Sequence, residues 1–125
     1  MFSNVIVGTN DLERARRFYD ALMAALSVAP AEMDGHRFFY LTPGGIFSVS
    51  KPINGEPATF ANGGTVGFNA SSTAVVDAWH AAGVAAGGTS CEDPPGLRES
   101  RLGQLYLAYL RDPDGNKLCA RHVIP

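Results

Sequence analysis

The sequence is poor in residues that build metal centres and disulfide frameworks. It has two cysteines, Cys91 and Cys119, and three histidines among its 125 residues. Two cysteines that do not form a C-x-x-C pair cannot make a disulfide framework. Free thiols in a cytoplasmic protein are the simplest interpretation, and this is the location we expect.

Long apolar runs and clusters of one charge are also missing. The longest apolar stretch, residues 22–31, is interrupted by Ser27 and Pro30, and a bilayer span needs about 20 apolar residues. No basic segment precedes an apolar run at the start of the chain, so no secretory signal is predicted. Lys and Arg number 10 against 12 Asp and Glu, without a long basic run. We therefore expect neither a nucleic-acid partner nor a membrane partner.

The residues that are present indicate an ordinary globular domain. Hydrophobic residues make up 46% of the chain and charged residues 18%, which is enough apolar material for a core and too little charge for a disordered chain. A chain of this length folds as one domain or as two small halves that share a core.

The first half has the order strand, helix, strand, hairpin. Residues 2–7 are apolar and β-branched, which predicts a strand. Asn10, with Glu13 three residues later, is a helix-start signal, and an apolar stripe at helical spacing follows it. Residues 37–41 and 46–50 predict two strands joined by the turn residues 43–45.

The second half repeats this order at an offset of about 61 residues. It predicts a strand at 65–69, a helix that ends near Gly83, a loop at 92–103, and strands at 105–110 and 117–123 around the turn Asp112-Pro113-Asp114-Gly115. The predicted fold is α+β: two βαβββ modules whose curled mixed sheets surround a shared cleft. The first module covers residues 1–52, a Pro/Gly/Asn-rich linker covers 53–64, and the second module covers 65–125.

Several segments of the chain resemble one protein family in the same order. They are residues 7–12 followed by Phe18-Tyr19, residues 62–68, and residues 109–117 with the sequence YLRDPDGNK. On these segments the chain resembles the glyoxalase / bleomycin-resistance / extradiol-dioxygenase superfamily, also called vicinal oxygen chelate proteins. The resemblance spans nearly the whole chain, and it implies the two-module fold described above.

The resemblance also implies four cleft positions, one on each of four strands. Metal-dependent members of the family place His and Glu at these positions. In this chain the corresponding residues are Asn4, Ser48, Thr65 and Cys119. Neutral Asn, Ser and Thr are weak ligands for a transition metal, and a lone Cys does not hold one. The expectation is therefore a site without a metal or other cofactor.

The remaining candidate residues are weaker. His36, His80 and His122 are predicted to lie at a strand entrance, on a helix and on the strand face opposite Cys119, away from the four positions. Cys119 could be a nucleophile, but a buried inert thiol is the simpler interpretation because no histidine is predicted nearby to act as its base.

Three further side chains are expected to contact a ligand. Arg121 has the same strand phase as Cys119, and Tyr109 lies on the neighbouring strand, although Tyr106 or Leu107 could line the cleft instead. The predicted loop with Pro94, Pro95, Gly96 and Arg98 could cover the cleft as a lid, so that Arg98 meets an anionic ligand; a solvated loop arginine is the alternative.

The resemblance implies a protein that binds a small organic molecule in an apolar cleft, as bleomycin-resistance proteins do without a metal. It also implies a homodimer. The alternative is an enzyme of the lactoylglutathione-lyase or dioxygenase kind with a non-standard or metal-free site, and a purely structural module is the third possibility.

Overall fold

The computed structural model describes residues 1–125 and contains two modules, each with one helix and one sheet. The elements of the first module are β1 (Asn4–Gly8), α1 (Leu12–Ala24), β2 (Glu32–Asp34), β3 (Arg37–Thr42) and β4 (Gly45–Ser50). Those of the second are β5 (Thr65–Asn69), α2 (Thr73–Ala85), β6 (Thr89–Ser90), β7 (Gly96–Ser100), β8 (Gly103–Arg111) and β9 (Lys117–Val123). No helix or strand lies between Ser50 and Thr65, and neither helix is long and apolar enough to cross a membrane.

The two modules follow the same plan. The first sheet, sheet A, has the strand order β1-β4-β3-β2, and the second, sheet B, has the order β5-β9-β8-β6 with β7 also paired to β8. In each sheet the opening strand runs parallel to the closing strand, and the other pairs are antiparallel. The predicted offset is confirmed, because β1 and β5 begin 61 residues apart, as do α1 and α2.

Each sheet has an inner face, which packs on the helices, and an outer face. The inner faces supply Phe38, Tyr40, Phe47 and Val49 from sheet A, and Ala108, Leu110, Leu118 and Ala120 from sheet B. These residues join buried residues of α1 and α2 in one core of 16 residues that spans both modules. The α+β fold of two modules is therefore confirmed, and the modules share one hydrophobic core.

The helix boundaries differ slightly from those predicted. Asp11, rather than Asn10, caps α1, and its carboxylate accepts a hydrogen bond from the Arg14 amide at 3.0 Å. The Asn10 side chain instead makes two hydrogen bonds with the backbone of Ala58. Helix α2 continues through Gly83 to Ala85, because this glycine packs tightly against the core instead of ending the helix.

Three strands had no predicted residue range. They are β2, β6 and β7, all short strands at or near sheet edges. The largest correction concerns the predicted loop 92–103, because residues 96–100 form β7 and pair with β8 over five residues. This pairing fixes Arg98 opposite Leu105 in a sheet, so the segment is not a loop lid.

The turn that carries the resemblance joins the modules. The buried Asp112 carboxylate accepts a 2.5 Å hydrogen bond from the Tyr19 hydroxyl on α1, and it also accepts bonds from the backbone of Asp114 and from Asn116. The Asn116 amide in turn donates to the Gly8 carbonyl at 2.9 Å. The turn therefore binds the first module through buried polar contacts, and we refer to residues 112–116 as the clasp.

Asp114 completes the clasp at the beginning of α1. Its carboxylate accepts hydrogen bonds from the Thr9 hydroxyl at 2.6 Å and the Asn10 amide at 2.9 Å, and it pairs with Arg14 at 3.0 Å. Thr9 is fully buried, so its hydroxyl needs this partner. The most specific sequence motif of the chain thus has a structural role.

Candidate ligand-binding cleft

The outer face of sheet B forms an open cleft of about 570 Å³. Strands β5, β8 and β9 line it, together with one residue that follows β6. The lining residues are Thr65, Gly67, Phe68, Asn69, Glu92, Leu105, Leu107, Tyr109, Lys117, Cys119 and Arg121. A volume of this size accommodates a small organic molecule.

The floor of the cleft is apolar. Leu105, Leu107 and Cys119 form a small buried cluster that is separate from the main core, and Tyr109 packs against it. Tyr109 and Cys119 are direct cross-strand partners, and Leu107 faces Arg121. The alternation along β8, left open by the sequence, thus places Leu105, Leu107 and Tyr109 in the cleft. Tyr106 has the opposite phase and donates a hydrogen bond to Asp77 on α2 at 2.8 Å.

Gly67 makes room in the middle of the cleft. It pairs with Cys119 across the parallel strands β5 and β9. A Cβ atom added at Gly67 would have no atom within 4 Å, so the space above this residue is open. Because glycine has no side chain, a gap lies between the side chains of Thr65 and Asn69, which are on the same face of β5.

The two basic residues of the cleft, Lys117 and Arg121, differ in whether an acidic residue pairs with them. The Lys117 ammonium forms an ion pair with Glu92 and lies 5.0 Å from the centroid of the Tyr109 ring. The hydrogen bond to Glu92 raises the pKa of Lys117 above its usual value. Arg121 is half-buried, and its guanidinium makes no ion pair and no hydrogen bond within the chain. The cleft therefore contains one neutralised cation and one cation without a partner.

The thiol of Cys119 is buried and protonated at neutral pH. Burial raises the pKa of Cys119 and outweighs the opposing effects of Tyr109, Arg121 and Lys117. Burial also raises the pKa of the Tyr109 hydroxyl. No histidine lines the cleft, because His36 is exposed in a turn, His80 contacts Ser90, and His122 contacts the Ala70 carbonyl. The Cys119 thiol thus lacks the lowered pKa and the neighbouring histidine of an activated nucleophile.

The four positions implied by the resemblance divide into two pairs. Asn4 and Ser48 lie on the outer face of sheet A, and Thr65 and Cys119 lie on that of sheet B. The β1–β4 and β5–β9 pairs have equivalent registers. Ile6 pairs with Ser48 in the first, and Gly67 pairs with Cys119 in the second. Thr65 and Cys119 line the cleft, while Asn4 lines a second pocket of about 350 Å³ between the modules, and Ser48 lines neither.

These donors do not fit the divalent metal that the fold family implies. A metal centre needs several charged or imidazole ligands at about 2 Å, and no three His, Cys, Asp or Glu side chains come together anywhere in the chain. Thr65 is a neutral oxygen donor, the Cys119 thiol is protonated, and the neighbouring Arg121 repels a cation. We therefore derive no step of chemistry through a metal.

Of the three further predicted residues, Tyr109 and Arg121 line the cleft and Arg98 does not. The Arg98 guanidinium donates to the carbonyls of Leu97 in β7 and of Asp93 and Pro94 just before this strand. Six lining residues were not predicted: Gly67, Phe68, Asn69, Glu92, Leu105 and Lys117. Lys117 and Gly67 could have been found from strand alternation, since each lies two residues from a predicted site residue on the same strand.

The family model of the Glyoxalase/Bleomycin resistance protein/Dioxygenase superfamily matches residues 2–120 of the chain. The chain belongs to this superfamily. A comparison with curated proteins gave no match. Among solved structures, a glyoxalase/bleomycin resistance protein from Albidiferax ferrireducens T118 is 57% identical, with a TM-score of 0.95 over 97% of this chain and 98% of that one.

More distant superfamily structures agree in fold alone. A glyoxalase-related enzyme from Fulvimarina pelagi is 22% identical, with a TM-score of 0.72 over 97% of this chain and 86% of that one. A lactoylglutathione lyase from Agrobacterium tumefaciens is also 22% identical, with a TM-score of 0.65 over 97% and 92% of the two chains. Their similarity extends over the whole two-module architecture, including both sheets.

Proposed function

We propose that this superfamily member binds a small organic molecule in the cleft on the outer face of sheet B, without a metal. The observation that carries the proposal is the gap above Gly67, because it opens a concave apolar surface that the chain's own side chains do not fill. Leu105, Leu107 and Tyr109 supply apolar contacts around this gap, and polar groups occupy its border. Such a combination is typical of a small-molecule site.

We also propose that a second copy of the chain covers this cleft, which makes the binding unit a homodimer. The outer face of sheet A exposes Ile6, Leu41 and Ile46, whose exposed fractions are 49%, 61% and 39%. A large exposed apolar sheet face is typical of an interface. The β2 edge of this face carries the acidic Glu32 and Asp34.

The two outer faces can also pack through their apolar surfaces. Docking the outer face of sheet A from one copy on that of sheet B from another would bury Ile6, Leu41 and Ile46 around the apolar floor of the cleft, while Arg121 stays available to a ligand. In this arrangement the Asn4 and Ser48 positions of one copy approach the Thr65 and Cys119 positions of its partner.

A thermal-shift screen of small organic molecules tests the main proposal. A ligand that binds only the folded state raises its stability, by about 2.7 kcal/mol at a concentration of 100 Kd. We expect stabilising compounds for the wild-type protein and loss of their effect in Gly67→Leu, whose side chain enters the open space. Ala81→Leu is the matched control, because it adds the same side chain at an exposed position of α2.

The comparison of the two leucine variants decides the result. Compounds that stabilise the wild type and Ala81→Leu, but not Gly67→Leu, would support binding in the cleft. Equal stabilisation of Gly67→Leu by the same compounds would show that they bind elsewhere and would overturn the proposal.

A further inference from the structure

The structure points to a ligand class for the proposed site: we infer that the cleft selects apolar molecules carrying a carboxylate, which Arg121 binds. The inference rests on the proposed function, since it concerns the same cleft. Its basis is the guanidinium that lies in the cleft without an anionic partner. A planar guanidinium offers two parallel N–H donors, which match the two oxygens of a carboxylate.

Arg121 is unusual among the basic residues of the chain. Five others form ion pairs with carboxylates: Arg14, Arg16, Arg17, Arg37 and Lys117. Arg98 and Arg111 donate to backbone carbonyls, and Lys51 and Arg101 are exposed to solvent. Arg121 alone is a half-buried cation, without such a partner, that lines the cleft. A cation held beside apolar surface gains more from an anion than one in open water, because the local dielectric constant is lower.

The surroundings of Arg121 indicate how the ligand lies. Leu107 is its direct cross-strand neighbour on β8, and Cys119 precedes it by two residues on the same face of β9. Asn69 is its partner on β5 and can hydrogen-bond the ligand's polar end. The carboxylate would thus sit at the Arg121 and Asn69 end, and the apolar body would extend over Gly67 toward Cys119 and Tyr109, which are in register with it.

Lys117 does not compete for this role. Its ammonium already forms an ion pair with Glu92. Lys117 and Arg121 lie at opposite ends of the part of β9 that lines the cleft. The positive charge available to a ligand is therefore concentrated at one end of the cleft and the apolar surface at its centre. An amide of the same shape offers the guanidinium one carbonyl acceptor and no negative charge, which makes the site selective for the acid over its amide.

Matched pairs of an acid and its amide test this inference. We choose phenylacetate with phenylacetamide, and hexanoate with hexanamide, and follow the backbone amide signals of Gly67, Cys119 and Arg121 by NMR titration. Each acid is expected to bind about tenfold more tightly than its amide, which corresponds to one charge-assisted hydrogen-bonded contact. Arg121→Gln is expected to remove this difference, and Arg101→Gln, which changes an exposed arginine outside the cleft, to retain it.

The outcomes separate the inference from the proposed function. Selective binding of the acids that is lost only in Arg121→Gln would support both. Equal binding of acids and amides at the three signals would overturn carboxylate selection while leaving the cleft as a binding site. Absence of any shift at these signals with all four compounds would count against both. Arg121→Lys adds a second check. It keeps the positive charge but not the two parallel N–H donors, so it should retain only part of the preference for the acid.

Discussion

At the residue scale, Asp112 shows that a conspicuous carboxylate in this chain stabilises the fold rather than performing chemistry. It is buried, and it accepts hydrogen bonds from the Tyr19 hydroxyl and from Asp114 and Asn116 of its own turn. These donors come from both modules, so the carboxylate links them. The clasp therefore couples the packing of the first module to the hairpin that carries Cys119.

We expect Asp112→Ala to destabilise the protein by about 3 kcal/mol, because it leaves buried donors of Tyr19 and Asn116 without an acceptor. Urea unfolding followed by circular dichroism measures this change. Asp93→Ala is the control, since Asp93 is exposed and its carboxylate forms no hydrogen bond, and its effect should stay within about 0.5 kcal/mol. Similar small effects for both variants would refute the structural role of the clasp.

Cys119 should react slowly with alkylating reagents in the folded protein. Burial raises its pKa, so the thiolate fraction at pH 7.5 is smaller than in the unfolded chain, and the side chain is also shielded. We expect iodoacetamide to modify Cys119 severalfold more slowly in buffer than in urea, with a rate that rises as the pH is raised toward the elevated pKa. Peptide mass spectrometry measures both rates. A thiol that reacts equally fast in both conditions at neutral pH would mean an activated cysteine.

At the element scale, Gly83 determines how closely α2 approaches its neighbours. A Cβ atom at this position would lie 2.2 Å from Leu110 Cδ1 and 3.0 Å from Leu22 Cδ1, both in the core. An alanine within an exposed helix would stabilise the protein by about 0.5–1 kcal/mol relative to glycine. Because of this contact, we expect alanine at position 83 to destabilise the protein, whereas helix propensity alone predicts that it would stabilise it.

Gly83→Ala is expected to lower the free energy of unfolding by about 1–3 kcal/mol, which is the usual effect of overpacking a core. Thermal and urea unfolding would both report it. Adding a Leu110→Val substitution, which removes bulk at the clashing side chain, should recover part of the loss. A stabilised Gly83→Ala protein would show that α2 can move away from β8 and α1 without penalty.

The same elements show what the sequence could predict. The strands 4–8 and 65–69 and both helices were predictable, because apolar periodicity and the 61-residue repeat reinforce each other. The short strands β2 and β7 were not, since their residues are mostly exposed and their pairing depends on a partner strand elsewhere in the chain. The end of α2 was misjudged because a glycine needed for packing has the same sequence signature as a helix stop.

The candidate site was predictable only in part for a similar reason. Strand alternation placed Arg121 with Cys119, which the structure confirms, because that relation is local. The gap above Gly67 depends on a glycine facing a neighbouring strand, and the neutralisation of Lys117 depends on Glu92, 25 residues earlier in the sequence. Such relations arise only when separate strands come together in one sheet.

At the scale of the whole molecule, the exposed face of sheet A predicts self-association. Light scattering coupled to size-exclusion chromatography should give twice the 13.2 kDa chain mass for the wild type. Ile46→Glu should give the monomer mass with an unchanged circular dichroism spectrum, because a charge at this partly exposed position opposes burial in an interface. Val84→Glu, on the exposed side of α2, should remain dimeric. A wild-type protein that is monomeric at all concentrations would contradict the proposal.

The central claim is that the outer face of sheet B is a small-molecule site. Crystals soaked with a library of small organic fragments, including carboxylic acids and amides, test it most directly. We predict electron density for bound fragments over Gly67, with acids placing an oxygen within hydrogen-bond distance of the Arg121 guanidinium. Fragments bound at other surfaces of the protein, with the cleft over Gly67 occupied by solvent alone, would contradict the claim.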